Sequence, residues 1–170
     1  MIAVDRVEMV LGRPERDLMP ERALELLRGE RVLVTGAAGS IGSALCDTLA
    51  DADISTLPTD VPGMGVRPMD VRYGTVVMDV VHRTRPTVIL HLAGAKHAPD
   101  SELHPGIVAD VNALGTRNIL DAARIRAPNA RVVTVSTCKA CDPETAYGAS
   151  KLLAERMTRQ ASHSVARLYN

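Results

Sequence analysis

The chain has no Phe and no Trp, and only three Tyr, among its 170 residues. That removes the aromatic platforms on which single-stranded nucleic acids and many sugars stack. Its core must be built from Val, Leu, Ile, Ala and Met. Charge of one sign is also missing: 20 Lys and Arg against 20 Asp and Glu give a formal net charge of zero. No long-range positive field is available to hold a phosphate backbone or an anionic bilayer, so neither nucleic acid nor membrane is an expected partner. Three cysteines, an odd number, are too few for a disulfide scaffold, and a reducing cytoplasm is the expected compartment. No apolar run reaches the roughly 20 residues of a spanning helix. The opening MIAVDRVEMVLGRPERD carries charges where a signal peptide needs an unbroken apolar stretch.

What is present is a regular alternation at one-domain length. Residues 1–30 read as a charged, Pro-interrupted lead-in with a short helical pattern from Pro20 to Arg28, closed by Gly29. From Arg31 onward, apolar strand-like runs alternate with helical runs, which predicts a parallel sheet covered by helices over 31–170. Strands are predicted at Arg31–Thr35, Ile54–Thr59, Val66–Met69, Thr87–Leu92, Arg131–Ser136 and Ser164–Tyr169. Helices are predicted at Ser40–Ala50, Tyr73–Arg85, Pro105–Arg126 and Thr145–Gln160. The run VVTVS, apolar or β-branched nearly throughout, reads as a central strand buried on both faces. Only VPGMGVRP separates the second and third strands, too short for a crossover that needs about 10 to 12 residues with its helix. Pro58 inside the second strand puts that strand at or near a sheet edge.

Between the first strand and the first long helix stands Gly36-Ala-Ala-Gly39-Ser-Ile-Gly42. Gly36 permits a tight exit, Gly39 a close backbone approach to a pyrophosphate, and Gly42 close packing of helix on sheet. Free amides at Ser40 and Ile41 face the anion. Asp60, at the end of the second strand, is placed to accept the hydroxyls of an adenosine ribose and to repel a 2′-phosphate, so NAD is favoured over NADP. Asp70 and Val71 suit the adenine, and the small residues of Leu92-Ala93-Gly94 let the cofactor pass. A turn-forming role is the plain alternative for both acids.

Tyr147 and Lys151 form Tyr-x-x-x-Lys, which puts both on one helix face a turn apart. An ammonium beside a phenol stabilises the phenolate and makes Tyr147 a usable acid or base. Thr137 ends the strand before them and reaches the same reacting hydroxyl. Asn112, polar within the helical run VADVNALGTRNIL, either braces a helix kink or water near Lys151 or is an ordinary satisfied Asn. Cys138-Lys-Ala-Cys141 has the spacing of a redox pair or half a zinc site. With no second cysteine pair, and with His91 and His97 on another strand's exit, no metal is expected. Met64, Met69 and Met78 read as aliphatic filler.

TGAAGSIG, HLAGAKHAP, VNALGT, STCKACDP and YGASKLLAE, in this order, resemble the extended short-chain dehydrogenase/reductase superfamily. Within it they resemble the nucleotide-sugar 4,6-dehydratases of the polysaccharide-biosynthesis type, over nearly all of residues 31–170; LGRPERD upstream is similar to a segment of the longer members. The resemblance implies an α/β, Rossmann-like doubly wound parallel sheet, here reduced around strands 2 and 3. It also implies bound NAD(P), a nucleotide-sugar substrate, hydride abstraction from C4, water loss and hydride return. Carried over, Thr137, Tyr147 and Lys151 are the catalytic core, with Lys139 assisting elimination. Superfamily members pair through two long helices, which makes a homodimer the expected assembly, with Leu114, Ile119, Leu152 and Leu153 as candidate contacts. Two departures stand out. Cys138 takes the place of the Asp that protonates the leaving hydroxyl, and a thiol of pKa about 8.5 is a poor substitute. The sequence closes at Arg167-Leu-Tyr-Asn170, so the family's C-terminal substrate-binding domain is expected to be lacking. Two functions fit: an NAD-dependent, sugar-directed short-chain dehydrogenase, or a non-catalytic NAD-binding module acting as pseudoenzyme, sensor or scaffold.

Overall fold

The computed structural model describes residues 21–168; LGRPERD, Pro20 and Tyr169 lie outside them. A short helix, α1 (Glu21–Glu25), leads into β1 (Arg31–Thr35). There follow α2 (Ser40–Asp51), β2 (Ser55–Asp60), β3 (Arg67–Pro68), α3 (Gly74–Thr84), β4 (Val88–His91) and α4 (Ala98–Leu103). The chain continues through α5 (Pro105–Val108), a π-helical segment (Ala109–Leu114) and α6 (Gly115–Arg126) into β5 (Arg131–Thr137). A 3₁₀ turn (Cys138–Ala140), α7 (Ala146–Gln160) and β6 (Ser164–Leu168) complete it. The six strands form one sheet in the order β3-β2-β1-β4-β5-β6, every neighbouring pair parallel. This is the doubly wound order in which the chain reverses direction across the sheet between β1 and β4 and opens a crevice at their carboxyl ends.

Alternation along β1 divides the core in two. Leu33 points to one face, where it joins Ile89 and Val132 with Val77 and Val81 of α3 and Ile119 and Ala123 of α6. Val32 and Val34 point to the other, where they meet Leu49 of α2, Ile54 and Val88, with Leu24 and Leu27 of the lead-in packed against them. Each such fully buried aliphatic side chain contributes roughly 1.5–3 kcal/mol, and these clusters hold the strand ends that build the crevice.

Several expectations need correction. The predicted helix over 105–126 is present as one uninterrupted run, but its middle, Ala109–Leu114, is π-helical between α5 and α6. The helix α4 was not expected at all; it is six residues long with Pro at its first turn, too short to show a hydrophobic period. β5 is not buried on both faces: Val132, Thr134 and Ser136 are buried while Val133, Val135 and Thr137 are half-buried. The cause is coverage, because α6 and α7 pack on one side of β5. Between β2 and β3 there is indeed no helix, only residues 61–66, and β2 is one strand in from the edge with Pro58 opposite Val34. Of the four candidate dimer contacts, Ile119 is in the core, whereas Leu114 and Leu153 are 45% and 52% exposed.

Candidate functional site

The carboxyl ends of β1, β2, β4 and β5 border a cleft of ≈ 510 Å³ lined by Gly36, Gly39, Ser40, Ile41, Gly42, Asp60, Asp70, Val71, Leu92, Ala93, Gly94 and Val135, among others. Gly36 leaves β1 with φ +70, and a Cβ there would stand 2.7 Å from the Ala93 nitrogen. A Cβ on Gly42 would collide with the Gly36 carbonyl oxygen. Both positions therefore require glycine for the turn to close at all. Gly39 caps α2 in an extended conformation with no side-chain hydrogen bond, and no acidic residue lies in the first turn. By contrast, Thr145 caps α7 by accepting from the Gly148 amide. The amides opening α2 are thus left for an external anion, which the helix dipole favours.

Asp60 braces this turn from the neighbouring strand. Its Oδ2 accepts from the Ala38 amide at 2.9 Å and its Oδ1 from the Val61 amide at 2.8 Å. Each carboxylate oxygen retains acceptor capacity, so the same group fits a vicinal diol. Asp70 is differently placed: it is buried, and Arg72 donates to it from Nε and Nη2 at 2.6–3.1 Å and from its amide at 3.0 Å. Those hydrogen bonds hold the Asp70 carboxyl below its ordinary range. The pairing was not foreseen, since two residues apart in a loop carries no periodic signal.

Asn112, Thr137, Tyr147 and Lys151 are not among the residues lining this cleft; Asn112 is buried within the π segment, next to the lining residue Val111. Its Oδ1 accepts from the Ala95 amide at 2.9 Å, and its Nδ2 donates to the Ala95 carbonyl at 3.0 Å and to Ser150 Oγ at 2.9 Å. Asn112 thereby ties the β4 exit to α7. π segments of this kind cluster at functional sites. Lys151 is buried on α7, one turn beyond the half-buried Tyr147, and its Nζ donates to the Val135 carbonyl at 2.6 Å. Burial pushes the Lys151 ammonium down to about 8, with the Glu155 carboxylate one turn on acting in the opposite sense. Gly94 lies against both groups: a Cβ there would be 3.1 Å from Asn112 Oδ1 and 3.8 Å from Lys151 Nζ. Ser101 of α4 accepts from the Tyr147 amide at 3.2 Å, which fixes the start of α7. Thr137 Oγ1 accepts from the Lys139 amide at 3.3 Å, and the turn carrying Cys138 and the exposed Lys139 packs against α7.

Sequence reasoning missed a buried polar chain beneath this site. Thr116 Oγ1 donates to the Asn112 carbonyl at 2.6 Å, so it accepts from His91 Nε2 at 3.1 Å. His91 Nδ1 then carries the lone pair and accepts from Thr35 Oγ1 at 2.7 Å, which in turn accepts from the Ala93 amide at 3.1 Å. Burial, with the nearby Lys151 charge, pushes His91 down to about 3, so it stays neutral. The chain links the cleft wall at Ala93 to the π segment. A lone His in an apolar strand gave no sign of it. Among the described residues no group of three His, Cys, Asp or Glu is placed to hold a metal, and no helix is long and apolar enough to cross a membrane.

Residues 32–168 match the NAD dependent epimerase/dehydratase family. The chain is 29% identical over 171 residues to the capsular polysaccharide biosynthesis protein CapD of Staphylococcus aureus, across 88% of this chain and 28% of that protein. Among solved structures it resembles the UDP-glucose 4-epimerase of Thermus thermophilus in complex with NAD (TM-score 0.70, 26% identity, 82% of this chain, 54% of that one). It also resembles the dTDP-4-dehydrorhamnose reductase of Bacillus anthracis in complex with NADP (TM-score 0.71, 26% identity, 82% of this chain, 53% of that one). The chain therefore spans about a quarter to a half of the length of the proteins it matches.

Proposed function

This chain belongs to the NAD-dependent epimerase/dehydratase family, and from that premise we propose that it carries out hydride transfer on a nucleotide sugar with Tyr147 as acid/base. NAD is the cofactor, and when bound it supplies the hydride acceptor and, once reduced, the donor. The glycine turn and the uncapped start of α2 receive its diphosphate, and Asp60 takes the hydroxyls of the adenosine ribose. A carboxylate at that position disfavours a 2′-phosphate. The similarity to a UDP-glucose 4-epimerase and to a capsular polysaccharide protein supports a nucleotide sugar as the substrate.

The observation that carries the catalytic reading is the Lys151 ammonium, buried one helical turn from Tyr147 and held at about 8. At neutral pH it is still mostly protonated, and the Tyr-x-x-x-Lys spacing puts it on the face of α7 that carries Tyr147. Tyr147 then takes the proton of the sugar hydroxyl at its phenolic oxygen as the carbon is oxidised, and returns it when the carbon is reduced. Thr137 hydrogen-bonds the same hydroxyl, Asn112 holds the β4 exit against α7, and Lys139 assists any elimination. The exposed Leu114 and Leu153 form part of a homodimer face. A second reading, an NAD-binding module without turnover, draws its support from Cys138, which stands where the dehydratases the chain resembles carry a carboxylic acid.

Incubating the purified chain with NAD and UDP-glucose or UDP-N-acetylglucosamine, with products separated by chromatography, distinguishes the two. Turnover that Tyr147→Phe abolishes while NAD binding persists supports the enzyme. A rate unaffected by Tyr147→Phe refutes the acid/base assignment, and tight NAD binding without any product favours the module.

A further inference from the structure

Cys138-Lys139-Ala140-Cys141 has no part in the hydride chemistry proposed above, yet the fold puts its two thiols where they can react together. Cys138–Ala140 form a 3₁₀ turn between β5 and α7, and the Cys141 amide closes it by donating to the Cys138 carbonyl at 3.0 Å. Such a turn holds about 3 residues and rises about 2 Å for each, so side chains three apart stand on one edge, about 6 Å from each other along the chain. That separation falls within the Cα–Cα range of about 4.4–6.8 Å that a disulfide spans.

Exposure ranks the three cysteines. Cys141 is exposed, and Cys138 is half-buried with its Sγ 3.9 Å from Thr137 Oγ1. Cys46 packs on α2 against the Val32 and Val34 cluster, and burial pushes its thiol up. The thiolate is the attacking form, so an incoming reagent meets Cys141 first and Cys46 last. The turn also abuts the site. Thr137 caps it by accepting from the Lys139 amide, and a Cβ on Gly148, next to Tyr147, would stand 2.6 Å from the Lys139 carbonyl oxygen.

We propose that Cys138 and Cys141 are a dithiol modification site that closes to an intramolecular disulfide by exchange with a small-molecule disulfide. The Cys141 thiolate attacks one sulfur of the reagent, which forms a mixed disulfide and expels one thiolate. The Cys138 thiolate then attacks the Cys141 sulfur and expels the other. The two protein thiols give up two electrons and two protons, and the reagent takes up both and departs as two thiols. Closure fixes the turn that follows Thr137 and abuts α7 beside Tyr147. No cofactor enters these steps, so this inference and the NAD reading fail separately.

Incubating the folded full chain with glutathione disulfide, followed by intact-mass measurement and peptide mapping, tests this. The expected product has lost two hydrogens, joins Cys138 to Cys141 and leaves Cys46 unmodified. It outnumbers the glutathione adduct by about tenfold or more, because the second attack is intramolecular. Cys138→Ser is expected to stop at a glutathione adduct on Cys141, and dithiothreitol to restore both thiols of the unchanged chain. The same exchange in urea, where the turn is lost, is expected to leave the adduct several-fold more abundant. An unchanged chain that accumulates glutathione on Cys141 without closing overturns the proposal, as does one in which neither cysteine of the turn reacts. Equal partition between adduct and disulfide in the folded and urea-unfolded chains overturns the part assigned to the turn.

Discussion

Replacing Gly36 with Ala separates two costs that the glycine turn combines. The residue sits at φ +70, where an L side chain costs roughly 1–2 kcal/mol. In addition, the new Cβ would stand 2.7 Å from the Ala93 nitrogen and 2.8 Å from its Cα. Both are backbone atoms of the β4 exit, held in turn by the Thr35 hydroxyl, so they cannot rotate aside as a side-chain tip would. Overpacking of this kind costs about 1–3 kcal/mol, for a total near 3 kcal/mol. Gly63→Ala is the matched control, because its φ of +92 imposes similar backbone strain with nothing within 4 Å. In ligand-free urea unfolding, Gly36→Ala is expected to lose about 3 kcal/mol and Gly63→Ala about 1–2 kcal/mol. At the roughly 2–4 °C per kcal/mol of a domain this size, Gly36→Ala melts about 6–12 °C lower. Equal losses for the two variants, within about 0.5 kcal/mol, would refute the claim that the turn is built against β4.

Glu155 is fully buried, and Arg167 donates to it through two nitrogens at 2.6–2.7 Å. Glu155→Gln is expected to cost about 2–3 kcal/mol at pH 7, near the low end for breaking a buried pair, because Arg167 keeps 29% side-chain exposure. The hydrogen bonds to Arg167 hold the carboxyl below its ordinary 4.5. That stabilisation is present above 4.5 and is lost as pH falls through the folded value, so the gap between the two proteins in denaturant titrations closes in acid. Lys151 has the opposite sign. Lowered from 10.5 to about 8 by burial, it costs stability while protonated, and the cost is relieved as pH rises from about 8 towards 10.5, where the unfolded chain binds more protons. Lys151→Met is therefore expected to be more stable at pH 7, by on the order of 1–3 kcal/mol, with the advantage shrinking by pH 10. A Lys151→Met protein less stable at both pH values contradicts the burial argument.

The features legible in the sequence are those set by local pattern. Gly36, Gly39 and Gly42, the strand at Arg31–Thr35, the carboxylate at Asp60 and the missing helix after β2 all follow from residue type and spacing, and the structure has them in place. What escaped depends on partners distant in sequence. Burial of β5 on one face alone depends on which helices cover it, and VVTVS reads the same either way. The π segment around Asn112 is fixed by bonds to Ala95 and Ser150, from 17 and 38 residues away. His91 looked like one polar residue in an apolar run, yet it joins Thr35 to Thr116 across two elements. Met64 was assigned by composition to a core it does not enter.

Cofactor binding requires the β1–α2 turn to grip a dinucleotide while Asp60 holds its ribose. Isothermal calorimetry of ligand-stripped protein with NAD measures this directly, with Asp60→Ala alongside. The account predicts saturable heat at one NAD per chain, with affinity clearly reduced in Asp60→Ala; absence of heat at millimolar NAD, or an affinity indifferent to Asp60, contradicts it.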